Sequence, residues 1–229
     1  LELQGDQPIS TLQIRLLQGS LRSHGLGLDL PASARLQLDL FALPGTTAKA
    51  WRQADMDYLR HWFVDAPPYQ LVALAYGTNE GNEKPFNAAA YAQGLRQSVA
   101  NLRQMFPLVS CLLIGPGDRG VLIARSRQGR KKRPKMPAPV APSQLLRYSH
   151  IHAQISKIQQ TVGSELGCRT WSMYQAMGGS ASAYGWARQR PQLMANDLMH
   201  YTVLGYQKLA QLFATQMGWK PESMWHGVD

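Results

Sequence analysis

Two stretches far apart in the chain hold side chains suited to moving a proton and to steadying a developing negative charge. Near the carboxyl end the order is Asp197, Leu198, Met199, His200. An imidazole exchanges a proton near neutral pH, because its ordinary pKa is about 6.5. A carboxylate at this spacing, in a loop ahead of a helix, can accept a hydrogen bond from one ring nitrogen while the other faces a substrate. That describes a general base with its orienting acid; the plainer reading is the decoration of a helix start. Upstream, Gly77, Thr78 and Asn79 close an apolar run. An amide at a strand end can donate to the oxyanion of an acyl-transfer intermediate, and one such donor is worth roughly 3–4 kcal/mol in a protease. Gly45 can add a backbone N–H, since glycine lets the main chain approach a ligand closely. Taken singly, Gly-Thr-Asn reads as a turn.

These residues need a scaffold that brings them together, and the hydrophobic pattern supplies one. Residues 1–4 fit the tail of a first strand. Residues 9–23 place Ile9, Leu12, Leu16, Leu17 and Leu21 at helical spacing, with Gly25 and Gly27 after them. Residues 35–43 alternate as a strand would and end at Pro44 and Gly45, and residues 47–63 read as helix. Residues 70–76 and 108–114 are short apolar runs suited to strands buried on both faces. Between them, residues 87–106 form a long helix. A second long helix spans 143–166, a last strand 168–173, and Thr202 caps a final helix.

Strands alternating with helices predict an α/β fold, a three-layer α/β/α sandwich around a parallel sheet. Active sites in such sheets lie beyond the carboxyl ends of the strands. Gly5 to Gln7, Pro44 to Thr46, Gly77 to Asn79 and Gly115 to Asp118 all fall at such ends. No internal repeat and no second-domain boundary is visible, so residues 1–229 are expected to form a single domain.

Composition narrows the function classes. No apolar run reaches the roughly 18 residues that a membrane span needs. The net charge is +10, and much of it is local: Arg125, Arg127, Arg130, Lys131, Lys132, Arg133 and Lys135 stand in one stretch. Pro134, Pro137, Pro139 and Pro142 follow or interleave, so residues of about 125–143 are expected to be a solvated basic loop. Contact with an anionic polymer is the functional alternative. Aromatic residues are missing between the cations, which argues against a single-strand stacking platform. Cys111 and Cys168 are the chain's two cysteines, too few for a disulfide framework, and are expected as buried thiols. His150 and His152 lack neighbouring carboxylates in sequence, so no metal is expected, and no cofactor. The chain opens at Leu1 rather than Met, which fits a processed or trimmed product whose earlier segment carried a targeting signal.

The order of Gly5-Asp6-x, Gly45, Gly77-x-Asn79 and Asp197-x-x-His200 resembles the four blocks of SGNH (GDSL-type) hydrolases, over nearly the whole chain. Residues 41–51 resemble the second block. Residues 115–119, 176–179 and 200–206 are similar to the subgroup that includes bacterial peptidoglycan O-acetylesterases. The resemblance implies a flavodoxin-like SGNH sheet and an acyl-ester substrate, a small ester or an O-acetylated glycan. It implies Gly45 and Asn79 as oxyanion donors, His200 as base, Asp197 as orienting acid, and a periplasmic or secreted setting.

One position departs. The first block should read Gly-Asp-Ser, and here it reads Gly5, Asp6, Gln7. An amide is no acyl acceptor at neutral pH, and losing the nucleophile costs a triad hydrolase roughly a millionfold in turnover. Three explanations stand. The chain is an inactive relative that binds a glycan or partner. Ser10, one helical turn on, supplies the hydroxyl, although a displacement of around 4–5 Å along a helix strains near-attack geometry. Or the true first block lies upstream of Leu1.

Overall fold

The structure is a computed structural model and describes residues 13–21, 36–63, 68–122 and 142–219. The chain divides into two compact units, Leu1–Phe41 and Ala42–Asp229.

In the first unit the described residues, 13–21 and 36–41, form neither helix nor strand. The helix expected over 9–23 is therefore absent across 13–21, and Ile14, Leu16, Leu17 and Leu21 are exposed. A short helix is marginal in water unless its apolar face is buried. The strand expected over 35–43 is likewise absent from 36–43. Leu36, Leu38 and Leu40 are 62, 75 and 78 % exposed. Alternation makes a strand only where a neighbour takes up its backbone hydrogen bonds, and no described strand does. The strand tail expected at residues 1–4 lies outside the described residues.

The second unit runs α1 (Ala48–Arg52), α2 (Met56–His61), β1 (Leu71–Ala75), a 3-10 turn (Glu80–Asn82), α3 (Ala88–Met105), β2 (Ser110–Gly115), α4 (Pro142–Leu145), α5 (Arg147–Glu165), β3 (Arg169–Ser172), α6 (Met173–Ala176), α7 (Ser182–Arg188) and α8 (Val203–Gln216). The helix read over 47–63 breaks in two, because the Asp55 side chain accepts from Tyr58 N–H at 2.9 Å and starts α2 anew. Asn87 caps α3 in the same way, accepting from Ala90 N–H at 2.9 Å. Thr202 caps α8 through Gly205 N–H at 3.1 Å. Each such cap contributes about 1 kcal/mol.

The described sheet is parallel, in the order β1-β2-β3. Its side chains alternate between two cores. Leu113 faces α3 and α5 with Leu95, Val99 and Ile155. Leu112, one residue earlier, faces α7 and α8 with Ala183, Trp186 and Leu209. Helices thus cover both faces, the three-layer α/β/α arrangement. Strand β2 is buried on both faces as the apolar run predicts, but β1 is not: only Leu74 is buried there. Among the described residues β1 pairs along one edge alone.

The cysteines require a correction. Cys111 and Cys168 are joined in a disulfide, with Cα atoms 4.7 Å apart. The parallel register pairs Leu112 with Arg169, so the residues just before them fall side by side. Residue counting along the sequence cannot see that adjacency.

Candidate active site

The Asp197 to His200 turn is tied down from several directions. Ala195 N–H donates to His200 O at 2.7 Å, Leu198 N–H to Ala195 O at 3.1 Å, and Gly120 N–H to Leu198 O at 3.0 Å. Met194 and Tyr201 form an antiparallel bridge. Leu198 takes the left-handed conformation, φ 60°, where a leucine persists only if its surroundings hold it. Asp197 then works twice. One carboxylate oxygen accepts from Met199 N–H and His200 N–H, both at 3.0 Å. The other lies 2.6 Å from His200 Nδ1.

That geometry fixes the chemistry of the imidazole. Partial burial pushes the Asp197 pKa up, but the bonds from the His200 ring and from the His200 and Met199 N–H groups outweigh it and hold it at about 2. Asp197 is thus an acceptor at neutral pH. In this pairing His200 Nδ1 carries the hydrogen toward Asp197, and Nε2 is the ring nitrogen left for another partner. The His200 side chain is 65 % exposed, open to a substrate.

Asn79 lies in the loop between β1 and the 3-10 turn. Its Nδ2 donates one hydrogen to Thr46 O at 2.9 Å and keeps a second N–H. Gly45 sits at φ 79° in a Pro-Gly turn closed by Thr46 N–H to Leu43 O at 3.3 Å. Asn79 and the Gly45 turn are thus brought together.

The brace between them is Glu80, which sequence reasoning missed. This buried side chain accepts from Ala48 N–H at 2.7 Å through one oxygen and from Gly77 N–H at 3.0 Å through the other. It stitches the start of α1 to the end of β1. Its signal was available: it is the acid directly after Asn79.

A neighbour of each group contacts the turn that follows β2: Gly77 on one side and Tyr201 on the other. A Cβ on Gly77 would fall 2.7 Å from Pro116 Cδ, so this close approach at φ 129° requires glycine. The Tyr201 hydroxyl, next to His200, packs directly on Gly117. His152 stands behind the turn with Nδ1 donating to Gly117 O at 2.7 Å and Nε2 buried without a hydrogen-bond partner. Burial pushes its pKa down against the pull of the Gly117 carbonyl, and Arg119 adds to the depression. It is a structural histidine, and His150 is exposed on another part of α5. Asp118, also without a role in the sequence reading, accepts from Ala183 N–H at 2.9 Å and ties the turn to α7.

A cavity of about 750 Å³ opens beside the Asp197 turn, lined by Val121, Leu146, Tyr184, Arg188, Asn196 and Leu198 among others. Asn196 and Leu198 flank Asp197 directly. The Tyr184 hydroxyl accepts from Val121 N–H at 2.9 Å and donates to Leu145 O at 3.0 Å, joining the two walls. Gln7, Ser10 and the basic residues from Arg125 to Lys135 lie outside the described residues. No helix among the described residues is long and apolar enough to cross a membrane.

The chain has the fold of the SGNH-type hydrolases. A solved peptidoglycan O-acetylesterase matches with a TM-score of 0.56 at 23 % identity, over 76 % of this chain and 43 % of that one. The chain therefore spans less than half the length of that enzyme. An aryl esterase of M. smegmatis aligns with a TM-score of 0.43 at 15 % identity, over 71 % of this chain and 66 % of its own. No family model and no curated protein sequence matches the chain.

Proposed function

We propose that this protein is an SGNH-type esterase acting on acyl esters of a carbohydrate, with an O-acetyl ester of a glycan such as peptidoglycan as the favoured substrate. The observation that carries the reading is the His200–Asp197 pair at 2.6 Å, on a His200 side chain that is 65 % exposed and whose Nε2 has no partner among the described residues. Given a serine nucleophile, which Gly5-Asp6-Gln7 does not supply, Nε2 takes the proton of its hydroxyl as the oxygen attacks the ester carbonyl. The second N–H of Asn79 and the N–H of Gly45 receive the tetrahedral oxyanion. His200 returns the proton to the leaving alcohol, and water then releases the acyl group by the same route. A periplasmic or secreted setting fits, because disulfides such as Cys111–Cys168 persist in oxidising compartments. The test is turnover of p-nitrophenyl acetate by the chain and by His200→Ala. The reading expects a clear loss in the variant, and equal rates would remove His200 from any mechanism.

A second reading is favoured by one residue. Gln7 stands where the first block needs serine, so the same pocket can hold a glycan without cleaving it. Glycan binding by a chain whose hydrolysis does not exceed that of His200→Ala would select this reading over the first.

A further inference from the structure

Two guanidinium groups share one aromatic ring near the carboxyl ends of the strands. Arg119 Cζ lies 4.1 Å, and Arg147 Cζ 4.4 Å, from the centroid of the Tyr148 ring. Arg119 ends the turn after β2, and Arg147 opens α5. The ring attracts each cation and fixes its place. The two cations repel one another, however, and no described carboxylate neutralises either. The ion pairs among the described residues are Arg60 with Asp57, Arg96 with Glu165 and His200 with Asp197.

The cluster is built into the candidate site's framework. Arg119 donates to Asn82 Oδ1 at 2.8 Å, and Asn82 N–H donates to Asn79 O at 3.0 Å. Arg119 is therefore anchored to the turn that starts at the candidate oxyanion amide, and among the described residues its other donors have no hydrogen-bond acceptor. On the other side, Val121 and Leu146, close to the two arginines in sequence, line the cavity that Asn196 and Leu198 bound beside Asp197.

We propose that Arg119 and Arg147, stacked on Tyr148, form a subsite for an oxyanion group, a carboxylate or a phosphate, on the glycan that occupies the site. Its place next to a cleaved ester rests on the esterase reading; its affinity for an anion rests on the cluster alone. A guanidinium presents paired donors that match such oxygens two at a time, and the second guanidinium on the same ring adds its positive field. The subsite selects acidic over neutral glycans at the step of binding.

The experiment is calorimetric titration of the full chain, at low salt, with three short oligosaccharides that carry no ester. One bears uronate carboxylates, one phosphate groups, and one is neutral. Either or both acidic oligomers should bind, and comparison of the two identifies the oxyanion; the neutral one should not bind. Arg147→Gln, on the exposed first turn of α5, should weaken binding about tenfold. Arg119→Lys keeps the charge but loses the fork and should weaken it several-fold. Equal binding of the neutral oligomer overturns the proposal. So does affinity unchanged in both variants, or binding abolished by neutralising Lys131 and Lys132 alone. No hydrolysis is involved, so failure of the esterase reading leaves this result standing. Thermal melts of each variant confirm that it remains folded.

Discussion

Glu80 is the residue on which the candidate oxyanion segment depends most, and its replacement has a calculable effect. Its two oxygens accept from the main chain of two segments that are far apart in sequence: Ala48 N–H at 2.7 Å and Gly77 N–H at 3.0 Å. The side chain is 5 % exposed, so water cannot replace it without structural opening. Hydrogen bonds to a charged group contribute about 1.5–3 kcal/mol each, and a buried donor left unpaired carries a penalty of similar size. Glu80→Ala should therefore cost about 3–6 kcal/mol, a large part of the 5–15 kcal/mol that holds a typical domain together. Glu80→Gln retains one acceptor and turns its amide toward an N–H, so it should cost about half as much. Urea unfolding followed by circular dichroism measures both. In the esterase reading, Glu80→Gln should also lower kcat more than it raises KM, because the Gly45 and Asn79 donors shift relative to each other. A loss below about 0.5 kcal/mol in Glu80→Ala, the scale of an ordinary surface change, would refute the bracing role.

Three further outcomes follow from the geometry. Replacing both Cys111 and Cys168 by alanine, or reducing the bond, should lower stability by about 2–4 kcal/mol, since it closes a long loop; a urea midpoint unchanged by reductant would contradict this. Asp197 has a folded pKa below its unfolded value, so its contribution is present above pH ~4 and fades as pH falls towards about 2. With the side chain 40 % exposed, solvent screening limits that contribution to about 1 kcal/mol, and the stability gap between the protein and Asp197→Asn should close over the same window. His152 is also depressed, which makes the unfolded chain the first to take up a proton. Stability should therefore fall below pH ~6.5, by at most about 1.4 kcal/mol per pH unit from this group, and His152→Gln should lose that slope; an identical pH profile would count against it.

The sequence disclosed much of the second unit because local signals and burial agree there. The runs at 70–76, 108–114 and 168–173 became β1, β2 and β3, and Asn87 and Thr202 cap helices as their types suggest. Where the periodicity had no partner to bury against, it misled: Leu36, Leu38 and Leu40 alternate perfectly well and remain exposed. Asp197 and His200 were legible because their spacing is local, and the turn itself brings them together. Glu80 and the cysteine pair were not, since each acts across a sequence gap that only the parallel register and the packing of α1 close. The arginines on Tyr148 were hidden for the same reason: one follows β2 and the other opens α5.

The central claim is that His200 and Asp197 form a working base that needs only a hydroxyl to act on. Gln7→Ser restores the serine that the first block of the sequence resemblance carries. Acetate release from an O-acetylated glycan by this variant should rise by several orders of magnitude over the unsubstituted chain, and His200→Ala in the same background should remove the gain. A gain that survives loss of His200 would contradict the account; no gain in a folded Gln7→Ser protein would mean a site remodelled for binding or a first block that lies elsewhere.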